Sequence, residues 1–77
     1  MQLSYLLITT NPGCEQSVGE ALLMLDEIKH VNMLYGKYDI IAKIQAKNVI
    51  ELQENLISSI QKIRGVELVK NLMVNHG

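Results

Sequence analysis

Leu34-Tyr35-Gly36-Lys37-Tyr38-Asp39-Ile40-Ile41-Ala42-Lys43-Ile44-Gln45-Ala46 is the stretch on which the fold turns. From Asp39 onward it alternates: Ile40, Ala42, Ile44 and Ala46 fall on one face, and Asp39, Ile41, Lys43 and Gln45 on the other. A period of two is that of a strand with one buried face. Ahead of it, Gly36-Lys37 can reverse the chain, with Gly36 supplying the positive φ such a turn needs. The segment before the turn, Ile28–Tyr35, reads as a partner strand, with Val31, Met33 and Tyr35 on one face and His30, Asn32 and Leu34 on the other. A β-hairpin is therefore expected in the middle of the chain.

Working outward, the period changes on both sides. Asn48 is placed as an N-cap, and Glu51 three residues later completes a capping box. Val49, Leu52, Leu56, Ile60 and Ile63 then recur at helical spacing, and Arg64-Gly65 closes the helix with Gly at C′. Val66–Asn75 reads as a last strand, with Val66, Leu68, Leu72 and Val74 on one face and Val69 and Met73 on the other. On the N-terminal side, uncharged Ser4–Thr10 has Tyr5 and Leu7 on one face and Leu6 and Ile8 on the other, as a central strand would. Asn11-Pro12-Gly13 is a strong turn signal. Cys14–Leu25 carries a helical stripe of Val18, Ala21, Leu22 and Leu25, interrupted by Gly19, which either a close neighbour or simple tolerance explains. The order β-α-β-β-α-β predicts an α+β, ferredoxin-like sandwich: one antiparallel sheet with strands one and three central and both helices on one face. Strands one, two and four are apolar on both faces, so the open face is expected to dimerise with the sheet of a second copy.

Composition narrows the function. Seven basic and eight acidic residues in 77 give a net charge of −1, which argues against specific DNA binding, since phosphate neutralisation needs a cationic surplus. A chain of this length buries only about 60–65% of its unfolded surface, which favours self-association. One cysteine, Cys14, forms no internal disulfide and fits a reducing compartment. The longest apolar run, Ala21–Leu25, is too short for a bilayer, and the N-terminus lacks a signal-peptide pattern. A cytoplasmic protein without a membrane partner is expected.

The stretch Leu34–Lys43, with its Gly36-x-Tyr38-Asp39 turn, followed by a helix and then Arg64-Gly65-Val66-Glu67, resembles the effector-binding (RAM-type) domain of the leucine-responsive regulator family, Lrp/AsnC. The resemblance covers nearly the whole chain, including the aliphatic first strand, Val18, Ala21 and Leu22 on the helix, and Val31. Family regulators place a helix-turn-helix domain ahead of this module; here strand one begins near Met1, so residues 1–77 are expected to be a single stand-alone domain without a DNA reader. The resemblance implies dimers that assemble further, to octamers or decamers, and a small amino acid bound between dimers near the Gly-x-Tyr-Asp turn. Carried over, the ligand-binding positions are Gly36, Lys37, Tyr38 and Asp39, with Asn71 and Leu72 on the last strand. Asn71 departs from the family's usual Thr, which leaves ligand identity open. Full-length Lrp/AsnC regulators are further expected partners, and no cofactor or metal is implied.

Each position also has a structural reading. Asp39 can orient an ammonium group or cap nearby amides. Gly36 can present its N–H to a carboxylate or simply turn the chain. Tyr38 can wall a pocket or fill an interface. Cys14 stands where ferredoxin-like metal chaperones have Cys-x-x-Cys, but Ser17 replaces the second thiol, so a plain helix-start residue is expected. His30 and His76 have no acid at ligand spacing. No Ser/His/Asp or paired-carboxylate constellation is visible, so an enzyme is not expected, although dimeric αβ-sandwich monooxygenases share the fold. A ligand-free assembly module is the other alternative. Among amino acids, apolar or small polar effectors are expected over large charged ones.

Overall fold

The computed structural model describes residues 2–73. Strand β1 (Gln2–Thr10) is followed by helix α1 (Glu15–Leu23), β2 (Ile28–Met33) and β3 (Ile40–Ala46). A π-helical segment (Glu51–Leu56) then passes into an α-helix, α2 (Ile57–Gln61), and β4 (Val66–Met73) ends the order. The four strands form one sheet in the order β2-β3-β1-β4, with every neighbouring pair antiparallel. This is the ferredoxin-like sandwich expected, with β1 and β3 central.

The alternation of β3 is realised in full: Ile40, Ala42, Ile44 and Ala46 are buried. They meet Leu6 and Ile8 of β1, Val18 and Leu22 of α1, Ile28, and Leu52, Leu56 and Ile60 of the second helical segment in a single aliphatic core. Asn48 caps that segment, its Oδ1 accepting the Glu51 N–H at 2.8 Å. The π-helical turns have a physical rationale in the spacing of the buried residues. Leu52, Leu56 and Ile60 recur every four residues, a spacing that drifts one way around an α-helix and the other way around the wider π-helix. Passing from one to the other keeps all three on the sheet. Val49, expected on this stripe, stands outside the core.

Other boundaries and faces depart from expectation. Helix α1 stops at Leu23 rather than Leu25, because Met24 and Leu25 donate to the carbonyls three residues back (3.2 and 3.0 Å), which tightens the last turn. Strand β2 stops at Met33, and Tyr35 is fully exposed. The Leu34 N–H bonds the Asp39 carbonyl at 2.8 Å, closing a loop whose Gly36 has φ 126°. On β4 the register shifts where Thr9 meets Leu68 and Thr10 meets Val66, so the extra residue Glu67 places Val66 and Leu68 on opposite faces. Val66 packs on the core, whereas Leu68 is 64% exposed on the open face. A similar shift between Ile28 and His30 turns Ile28 inward. Gly19 has close neighbours: a Cβ there would lie 3.1 Å from Met33 Cε. The expectations for Val74, Asn75 and His76, and for the Met73 side chain, lie outside the described residues.

Two turns lock the top of the sandwich. In Asn11-Pro12-Gly13-Cys14 the Cys14 N–H returns to the Asn11 carbonyl at 3.0 Å and Gly13 has φ 83°, the geometry that Pro-Gly favours. The Asn11 N–H bonds the Gly65 carbonyl at 2.8 Å, and Gly65 has φ 98°. A Cβ at Gly65 would stand 2.8 Å from Cys14 Cβ and 3.1 Å from Val18 Cγ2. Positive φ and this clash together predict that Gly65→Ala lowers unfolding free energy by about 2–4 kcal/mol. Urea unfolding followed by circular dichroism measures this; a change within experimental error would show that the two turns are not packed as described.

Candidate functional site

The hairpin loop ends on Asp39, which is fastened to β1 twice. Its N–H donates to the Ile8 carbonyl at 3.0 Å. Its Oδ2 accepts the Thr10 N–H at 2.8 Å and lies 3.4 Å from the Thr10 hydroxyl. The amide-capping role weighed for Asp39 is thus present, but it holds the end of β1 rather than the Gly36 turn. Only Oδ2 is engaged among the described residues, so Oδ1 is left for another partner.

Beside this anchor lies a concavity of about 380 Å³ lined by Glu15, Met33, Leu34, Tyr35, Gly36 and Asp39. Three elements build it: the first residue of α1, the end of β2, and the loop between β2 and β3. Gly36 and Asp39, singled out from the sequence, therefore share one cavity. Lys37 and Tyr38 do not line it. The Lys37 ammonium lies 5.7 Å from the centre of the Tyr38 ring, a cation–π arrangement. Glu15 and the Met33–Tyr35 wall were not singled out from the sequence. The macrodipole accounts for an acid in a first helical turn, and nothing in sequence spacing places that turn beside the hairpin loop.

The structure does not bring Asn71 and Leu72 to this cavity within one chain. Asn71 is opposite Leu6 and Leu72 opposite Tyr5, whereas Asp39 lies beyond the Ile8–Ile40 pair toward the end of β1. The side chain of Asn71 meets Ser4, a fully buried residue on the helix-covered side, through Oδ1 and the Ser4 hydroxyl. The same hydroxyl reaches the Leu72 carbonyl at 3.0 Å. One hydroxyl proton cannot serve both acceptors in full. Rotating the Asn71 amide makes its NH₂ the donor to Ser4 and leaves the Ser4 proton for Leu72. In this chain Asn71 satisfies a buried serine. Leu72, 41% exposed, belongs to the open sheet face with Tyr5 and Leu68.

Cys14 packs beneath Gly65, and the Ser17 hydroxyl bonds back to the Cys14 carbonyl at 3.1 Å, as in a plain helix start. Among the described residues no group of three or more His, Cys, Asp or Glu is placed to hold a metal ion. No helix among them is long and apolar enough to cross a membrane.

A fold of this order is shared with known proteins. The family model for the Lrp/AsnC ligand binding domain matches residues 4–75. The chain belongs to the Lrp/AsnC family, as its ligand-binding domain, and so is related to transcriptional regulators. The HTH-type transcriptional regulator FL11 of Pyrococcus furiosus is 33% identical over 72 residues, covering 94% of this chain and 47% of the regulator. The chain thus spans about half the length of the curated relative it matches. Among solved structures, TTHA0845 from Thermus thermophilus superposes with a TM-score of 0.91 at 28% identity, covering 100% of this chain and 96% of that one. AsnC of E. coli superposes with a TM-score of 0.89 at 25% identity, covering 99% of this chain and 52% of that one. The resemblance carried by Gly36-x-Tyr38-Asp39 and Gly65-Val66 is borne out at the level of family and fold.

The Asp39 anchor has a measurable consequence. Asp39→Ala leaves the Thr10 N–H, in a residue only 6% exposed, without its partner and is expected to cost about 1–3 kcal/mol. Asp39→Asn keeps a carbonyl oxygen for that bond and is expected to cost less than half as much. Thermal unfolding of the two variants checks the ordering; equal losses would mean that charge, and not the bond to Thr10, holds the corner.

Proposed function

We propose that this chain is an effector-binding and assembly domain that takes a small amino acid in the concavity beside Gly36 and Asp39. The observation that carries the reading is that Asp39, which commits Oδ2 to Thr10, and Gly36 line one cavity of about 380 Å³. An amino acid presents an ammonium, a carboxylate and a side chain. Asp39 suits the first, a glycine turn can offer backbone N–H groups to the second, and Met33 and Leu34 provide an apolar wall for the third. Lys37 and Tyr38 belong to the same loop but not to the cavity lining, and a neighbouring dimer that closed the site would meet them. Catalysis forms no part of the proposal, nor does sequence-specific DNA binding by this domain alone; a regulatory effect would pass through its own assembly or through full-length Lrp/AsnC regulators.

A thermal-shift panel of the twenty amino acids, on the wild type and on Asp39→Asn, tests the site. At least one amino acid at millimolar concentration is expected to raise the wild-type midpoint, with a smaller rise in Asp39→Asn. No rise with any amino acid would leave the ligand-free assembly reading in its place. An equal rise in both proteins would remove the Asp39 charge from the site.

Self-association is proposed through the open sheet face. Tyr5, Leu68 and Leu72 are 36%, 64% and 41% exposed there, and Leu3 and Leu7 lie half-buried between them. Light scattering is expected to give at least a dimer at micromolar concentration, octamers or decamers being the assemblies the family resemblance implies. Leu72→Glu, which puts a charge in the middle of that face, is expected to shift the population toward monomer. A wild-type monomer, or an unchanged mass for the variant, would count against sheet pairing.

A further inference from the structure

The concavity holds two carboxylates, Glu15 and Asp39, and no Lys, Arg or His in its lining. Lys37, the cation of the same loop, lies over the Tyr38 ring, and neither residue lines the cavity. Asp39 commits one oxygen to Thr10. Glu15 is half-buried at the start of α1, and its carboxylate has no hydrogen bond or ion pair among the described residues. The remainder of the wall is Met33, Leu34, Tyr35 and the Gly36 backbone.

We infer that this cavity selects an amino acid whose side chain is itself cationic, with Glu15 as the residue that sets the preference. The inference rests on the amino-acid reading given above and on the chain's membership of a ligand-binding domain family. A ligand with a neutral side chain brings one ammonium and one carboxylate. Its ammonium can neutralise Asp39 or Glu15, and the other acid then faces the ligand's own carboxylate. A second cation at the end of an aliphatic stem pairs the remaining acid, while Met33 and Leu34 cover the stem. In a partly enclosed cavity these charges are less screened than on an open surface, so the imbalance counts. This reverses the preference for apolar or small polar effectors that the sequence suggests. The plainer role for Glu15, an acid complementing the helix dipole, accounts for its position in the first turn and predicts no ligand preference.

Two matched pairs of probes separate the possibilities by calorimetry on the assembled protein: L-lysine with L-norleucine, and L-arginine with L-citrulline. The cationic member of at least one pair is expected to bind roughly tenfold tighter than its neutral counterpart. Glu15→Gln is expected to bring that ratio close to one, by weakening the cationic member and relieving the repulsion on the carboxylate of the neutral one; circular dichroism confirms that the variant is folded. Neutral members binding as tightly as the cationic ones would overturn the assignment, as would a ratio that survives Glu15→Gln. If all four fail while another amino acid binds, the charge assignment falls and the amino-acid reading stands. If no amino acid binds at all, both fall.

Discussion

The bond from the Thr10 N–H to the Asp39 carboxylate is the interaction on which the top of the molecule depends. The β1–β3 ladder ends at the Ile8–Ile40 pair, and on its other side β1 shifts register against β4 between Thr9 and Thr10. At that point β1 is leaving one partner and changing its pairing with the other. A buried N–H there must find an acceptor or lose stability. Asp39 supplies one from the hairpin loop, so β1 can end, turn through Asn11–Gly13 and start α1. The same turn rests on Gly65, where the backbone has room only because no Cβ is present.

That arrangement explains why a fold-holding residue and a candidate ligand residue coincide. Asp39 binds the Thr10 N–H through Oδ2 and at the same time lines the cavity that Glu15 lines. Gly36, at φ 126°, lets the loop turn back toward Asp39. The cavity is thus a by-product of how the chain closes its corner. A ligand that engages Asp39 acts on the same contact that terminates β1, so binding and stability are linked through one residue.

Much of this was legible in the sequence where the information is local. The alternation of Ile40, Ala42, Ile44 and Ala46 needs only a two-residue period, and Gly13, Gly36 and Gly65 all take the positive φ that their turn positions require. The Asn48 cap is equally local. What sequence reading missed depends on two segments at once. The shift at Glu67 comes from how β4 meets β1, and no pattern within β4 alone could separate Val66 from Leu68. The Ile28 inversion has the same origin on β2. Asn71 carries a polar side chain toward the helices because its pairing opposite Leu6 puts it on the helix-covered face, where Ser4, far away in sequence, meets it. The cavity followed the same rule: Gly36 and Asp39 were found through a motif, while Glu15 joined them only through the packing of α1 beside the loop.

The positions of the two surfaces bear on how ligand and assembly can communicate. The concavity opens beside β2 and the start of α1, whereas Tyr5, Leu68 and Leu72 lie on the sheet face away from the helices. Pairing through the open face therefore leaves the cavity accessible, and the first dimer need not respond to ligand. In the proposed assembly, contacts made later by the 34–39 loop are the ones a bound amino acid would alter, because Gly36 and Asp39 line the cavity while Lys37 and Tyr38 of the same loop do not. Reciprocity then requires that any assembly step which closes over the loop also tightens the ligand. Sheet pairing would set a constant platform, and the loop would carry the variable response.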